Sequence, residues 1–147
     1  MGNFTLPMLP AESLTIKEDA AMPKTVAVIG ANAARRRYSN KSLRAHESVG
    51  WNVIPVNPSE TEVEGRRCYP SIKDVPDAID RVTMYVRPEN GITMLDDIAA
   101  KNPKEFWLNP GTESRELIQK AKELGLDPIL GCSILDLGVS PYDFPDR

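Results

Sequence analysis

The sequence predicts an α/β fold: a mostly parallel sheet covered by helices on both faces, in three layers. Two observations lead there. From Lys24 onward, short apolar runs alternate with segments of helical period. Glycine then ends one run at Gly30 and two helical segments at Gly50 and Gly125. Strands that alternate with helices pair in parallel through right-handed crossovers.

Each element has its own warrant. Thr25–Ile29 (TVAVI) is a buried strand, β-branched and closed by Gly30. Ser39 or Asn40 suits the cap of a helix carrying Leu43, Ala45 and Val49. Trp51–Val56 (WNVIPV) is the second strand, and Pro55 places it at an edge or ends it there. Two prolines in CYPSIKDVPDAI leave room only for a short, irregular connection. Val82–Val86 is the next strand. Pro88 then opens a helix whose apolar face is Ile92, Leu95, Ile98 and Ala99. Glu105–Leu108 is a strand, Thr112 caps a helix through Leu117, Ile118, Ala121 and Leu124, and Pro128–Leu130 closes the sheet. Residues 1–22 read as an extension that wraps the domain or stays mobile, 23–135 as the domain, and 136–147 as an irregular tail.

The 147 residues suit one domain, and 41% hydrophobic with 27% charged content is ordinary for a globular chain. A net charge of −3 gives no global basic field for nucleic acid. No run approaches a membrane span, and the N-terminus lacks signal-peptide character, so a cytoplasmic location is expected. Cys68 and Cys132 read as free thiols, and a single histidine, His46, gives poor support for a metal site.

Against that acidic background, GANAARRRYSNKSLRAH (Gly30–His46) holds five Lys/Arg and no acid. A strand that ends in glycine and opens into a helix presents backbone N–H groups to an anion. NAD fits this loop badly. Asn32 and Arg35 stand where its fingerprint needs glycines, and Val56-Asn57-Pro58 replaces the ribose-binding acid. NADP tolerates the missing acid but not the missing glycines. Arg35, Arg36, Arg37, Lys41 and Arg44 suit a ligand with a diphosphate and a further phosphomonoester, as in coenzyme A.

VAVIGAN, VIPVNP (Val53–Pro58), GRRCYPSIKDVPD (Gly65–Asp77), VRPEN (Val86–Asn90) and WLNPG (Trp107–Gly111), in this order, resemble the small bacterial CoA-binding domain proteins. These are related to the CoA-binding domain of the succinyl-CoA synthetase alpha subunit. The resemblance covers about Pro23 to Ser133 and implies a Rossmann-like fold. It implies a phosphate cradle at Gly30, Ala31, Asn32 and the arginines Arg35, Arg36 and Arg37. Val56, Asn57 and Pro58 would wall the adenosine, Arg87 and Pro88 would form the lip for the pantetheine arm, and Asn109 and Gly111 match the family's amide-and-glycine turn. The family often has Ser or Thr at Asn32 and a charged residue at Gly131.

These readings lead to a CoA or acyl-CoA binding module. Outside the loop there is no nucleophile–base pair, metal constellation or Walker loop. The alternatives are an NAD(P)-dependent reductase and a detached subunit of an acyl-CoA ligase, and a homodimer or an enzyme partner stays open. The remaining residues read as structural. Lys41 and Arg44 are expected to face water and His46 to lie on the helix surface. Cys68 is a small buried hydrophobe, Cys132 a packing residue at a strand end with a place facing the ligand's thiol as the alternative, and Asp74 a cap or tether of the connection. Trp51 and Trp107 pack, while Asp96 and Asp97 lie on a polar helix face. Gly30, Asn57, Arg87, Asn109 and Cys132 all fall at strand ends, so one gathering place is expected for them.

Overall fold

The apolar runs form five parallel strands in the order β2-β1-β5-β6-β7. They are β1 (Thr25–Ile29), β2 (Asn52–Val56), β5 (Arg81–Met84), β6 (Glu105–Leu108) and β7 (Pro128–Leu130). The computed structural model describes residues 22–147, so all but Met22 of the expected extension lies outside the described residues. Strand β2 is an edge strand, and Pro55 sits there opposite Val28, where a missing N–H costs no ladder bond to a further strand.

Side chains alternate across β1 and build two cores. Ala27 and Ile29 of β1 join Val82, Met84, Phe106, Leu108, Leu95, Ile98 and Leu117 on one face. Val26 and Val28 join Leu43, Val53, Val63 and Cys68 on the other. The second face is covered by α1 (Tyr38–Ser48). The first is covered by α2 (Pro88–Gly91), α3 (Leu95–Lys101) and α4 (Arg115–Glu123). A short α5 (Ser133–Asp136) follows β7.

The expected helix after Pro88 is divided: a 3-10 turn, Ile92–Met94, separates α2 from α3. Pro88 does occupy the first turn of α2. Two capping expectations shift by a few residues. Helix α1 starts at Tyr38, so Ser39 and Asn40 lie inside its first turn, and Arg37 at the cap position makes no side-chain bond. Ser114, not Thr112, caps α4 by accepting from the Leu117 N–H. The connection after β2 is more ordered than its prolines suggest. It contains a small hairpin, β3 (Glu62–Val63) and β4 (Arg66–Arg67), turned by Glu64 and Gly65 at φ 51° and 76°. Ser71, rather than Asp74, then caps the 3-10 turn Ile72–Asp74.

Three expectations about α1 are overturned. His46 is fully buried, and Lys41 and Arg44 are buried as well. For Lys41 and Arg44 the cause is the C-terminal segment. It forms a capped 3-10 turn at Pro141–Asp143 and returns across α1. Lys41 Nζ meets Asp146 at 2.7 Å, and Arg44 donates to the Pro145 and Arg35 carbonyls at 2.9 and 2.8 Å. Arg35 reaches the Arg147 carbonyl at 2.8 Å. The expected irregular tail is therefore a strap held by basic side chains.

His46 belongs to a polar cluster centred on Arg81. The Arg81 guanidinium lies between the Trp51 and Trp107 rings, at 4.7 and 5.0 Å, and pairs with Glu105 and Asp136 at 2.7 Å each. His46 Nδ1 is 2.8 Å from the Ser42 carbonyl, so Nδ1 carries the proton and donates. Nε2 then accepts from Arg81 at 3.3 Å. Burial, with Arg81 alongside, pushes the His46 pKa down to about 4.

Candidate functional site

The chain leaves β1, builds β2 on one side and returns to place β5 on the other. Ligands of open parallel sheets bind outside the carboxyl ends of the strands at such a switch point. Gly30 sits there at φ +88°. A Cβ at Gly30 would come within 2.9 Å of the Tyr85 carbonyl oxygen and of the Val86 side chain. Only glycine combines this dihedral with so close an approach.

Several bonds tie the first loop to the end of β2. The Gly30 and Ala31 N–H groups donate to the Val56 carbonyl at 2.8 and 3.3 Å. The Asn57 amide donates to the Ala31 carbonyl at 2.7 Å and accepts from the Ser59 N–H. Gly30, Val56, Asn57 and Pro58 thus line one cleft of about 140 Å³, with Ile72, Val86, Thr93 and Asp97 on its other walls. Ala31 is buried beneath the loop. Thr93 and Asp97 reach the cleft from the segment after β5, and no local motif marks either of them.

Asn32 shapes the loop from within, since its side chain accepts from the Ala34 N–H and its carbonyl accepts from Asn40. The Ala33 N–H donates to a Glu60 carboxylate oxygen at 2.8 Å. Glu60 was not among the expected residues; it comes from the β2–β3 connection, 27 positions away. The arginine run divides. Arg35 pairs with Glu64 at 3.3 Å and with the strap. Arg36 and Arg37 are exposed and make no ion pair among the described residues.

The five strand-end residues do not share one cavity. Gly30 and Asn57 line the first cleft. Asn109 and Cys132 line a second cavity of about 450 Å³, with Tyr38, Tyr85, Leu135, Pro141 and Tyr142. The end of β5 separates them, because Tyr85 and Val86 are consecutive and point to opposite sides. Arg87 is exposed at the start of α2, and Pro88 faces a shallow depression with Glu89 and Ile92. Gly111 is exposed in the turn after β6, its N–H donating to Glu113.

The Asn109 side chain is buried and fully engaged. It donates to Thr83 Oγ1 and the Met84 carbonyl at 2.7 and 2.9 Å, and accepts from the Ser133 N–H at 3.0 Å. The amide therefore clamps β5, β6 and the start of α5 together. Burial pushes the Tyr85 phenol above its ordinary pKa, so its hydroxyl keeps its proton. Burial does the same to the Cys68 thiol, which lies in the second core as expected.

Among the described residues no His, Cys, Asp or Glu group is arranged to hold a metal ion, and no helix is long and apolar enough to cross a membrane. The hypothetical protein from Pyrococcus horikoshii OT3 superposes with a TM-score of 0.73 at 32% identity, covering 84% of this chain and 87% of that one. The uncharacterized protein YneT of Bacillus subtilis (strain 168) is 29% identical over 119 residues, 81% of this chain and 88% of its own length. The ADP-forming acetate–CoA ligase I of Archaeoglobus fulgidus is 26% identical over 114 residues, but the chain spans only 17% of that protein. A model of the CoA binding domain matches residues 24–137, and the chain belongs to that family.

Proposed function

We propose that this protein binds coenzyme A or an acyl-CoA, with the nucleotide end at the switch point and no chemistry of its own. The observation that carries the reading is the Ala33 N–H on the Glu60 carboxylate. The loop backbone already donates to an anionic oxygen, beside a helix start that no side chain caps. Helix N-termini favour negative charge at that position. Arg36 and Arg37, exposed and without ion pairs, would supply side-chain donors to phosphate. Lys41 and Arg44 would not, since the strap holds them. The apolar cleft beside Gly30, Val56 and Pro58 would take the adenosine, with Thr93 and Asp97 as polar contacts.

The test is thermal unfolding of ligand-stripped protein with CoA, dephospho-CoA, NAD and NADP, with affinities for the wild type and an Arg36→Ala/Arg37→Ala variant. At 100 times its dissociation constant a ligand adds about 2.7 kcal/mol, which is several degrees in midpoint for a domain of this size. CoA is expected to shift the midpoint, dephospho-CoA to shift it less, and NAD not at all. The variant is expected to fold normally and to bind CoA about tenfold more weakly, with a shallower salt dependence. A shift with NAD or NADP alone refutes the reading and points to a reductase.

A second reading has a specific warrant in the likeness to the ADP-forming ligase: a CoA-binding subunit that works with another chain. Turnover to acetyl-CoA only when such a partner is added would favour it.

A further inference from the structure

We propose that the second cavity takes the acyl end of an acyl-CoA thioester, so that acylated CoA binds more tightly than free CoA. The proposal rests on the CoA reading above and names which form of the ligand the site selects. Three features support it.

The first is position. Tyr38 is the first residue of α1 and also lines the second cavity, so the cavity begins where the helix start ends. Tyr85 and Val86 put the two cavities on opposite sides of a single strand end. A ligand whose phosphates lie over the first loop has the second cavity as the next opening along the sheet edge.

The second is chemistry. At about 450 Å³ the cavity falls in the size range of small-molecule sites. Its walls are chiefly aromatic and aliphatic. The one amide on its floor, Asn109, is bonded inward to Thr83, Met84 and Ser133. Among the described residues no Asp, Glu, Lys or Arg lines it. Such a chamber favours an uncharged apolar group and disfavours a carboxylate.

The third is exposure. Tyr38, Leu135 and Tyr142 line this cavity while 53%, 60% and 89% exposed. Large apolar side chains left in water around one concavity mark a binding surface. An acyl chain arriving with the nucleotide would cover them.

The experiment is calorimetric titration of the full chain with CoA and with acetyl-, butyryl-, hexanoyl-, octanoyl- and succinyl-CoA. Wild type is compared with a Leu135→Gln/Tyr142→Gln variant, both substitutions falling on exposed side chains. Affinity is expected to rise with chain length, up to about fourfold per buried methylene, and succinyl-CoA is expected to gain nothing over CoA. The variant should keep its CoA affinity within about twofold while losing most of the chain-length gain. Affinity for CoA that is flat along the acyl series overturns this proposal and leaves the CoA reading standing. Failure of CoA itself to bind the wild type overturns both. A chain-length gain that survives intact in the variant places the acyl group elsewhere and overturns the proposal. Sedimentation of both proteins tests a rival occupant: a dimer broken by the variant, with no acyl gain, assigns the patch to a second copy.

Discussion

Acid should weaken this fold through a single imidazole. His46 is buried, donates to the Ser42 carbonyl and faces the Arg81 guanidinium. Its folded pKa lies at about 4 against an ordinary 6.5. The folded state thus holds the ring neutral, while the unfolded chain takes up a proton as pH falls through 6.5. Stability from this source is complete above pH 6.5 and is lost as pH falls toward 4. At 1.36 kcal/mol per pK unit, the loss is about 2 kcal/mol at pH 5 and about 3 kcal/mol once both states are protonated. Glu105 and Asp136 also pair with Arg81, and Glu105, which the Trp107 and Arg81 donors hold below its ordinary range against the opposing effect of burial, adds to the loss at the acid end. The assay therefore takes a difference. Urea unfolding of wild type and of His46→Gln is measured from pH 7.5 to 5. The wild-type advantage is expected to shrink by about 2 kcal/mol across that range, because only the wild type carries the imidazole. A wild-type advantage that does not change with pH would show that His46 takes up its proton in the fold as readily as in the unfolded chain, and the assigned burial and hydrogen bonding would be wrong.

Two further predictions concern the sheet edge. Gly30→Ala places a methyl group 2.9 Å from the Tyr85 carbonyl oxygen at φ +88°, so it should cost about 1–3 kcal/mol. Calorimetry should show a midpoint several degrees lower, and an unchanged midpoint would mean the loop yields freely. Asn109→Ala leaves the Met84 carbonyl and the Ser133 N–H without their side-chain partner, and about 1–3 kcal/mol of stability should go. CoA affinity of the folded fraction should stay within about twofold of wild type, since the amide points inward. A large loss of affinity at unchanged stability would instead make Asn109 a ligand contact.

The sequence by itself determined what depends on neighbours along the chain. A β-branched run ended by glycine favours a buried strand, and β1 and Gly30 are placed accordingly. Pro55 lacks an N–H, and β2 lies at the edge. The strand–helix alternation led to the parallel sheet. The order of short motifs led to the family.

The tertiary structure decided what depends on residues far apart. Lys41 and Arg44 read as solvated because they belong to a basic run, and a charge run is usually a solvated helix face. Their partners, Asp146 and the Pro145 carbonyl, arrive about a hundred positions later in a segment with little apolar periodicity. His46 looked exposed because its cover, Trp51 and Arg81, comes from the β2 entry and from β5. Glu60 reaches the first loop only because the hairpin connection folds back over it. The expected single gathering place became two cavities because the end of β5 turns Tyr85 one way and Val86 the other. Local composition carries backbone preference and hydrophobic period. Which polar groups meet, and which stay free for a ligand, follows from the three-dimensional closure of the chain.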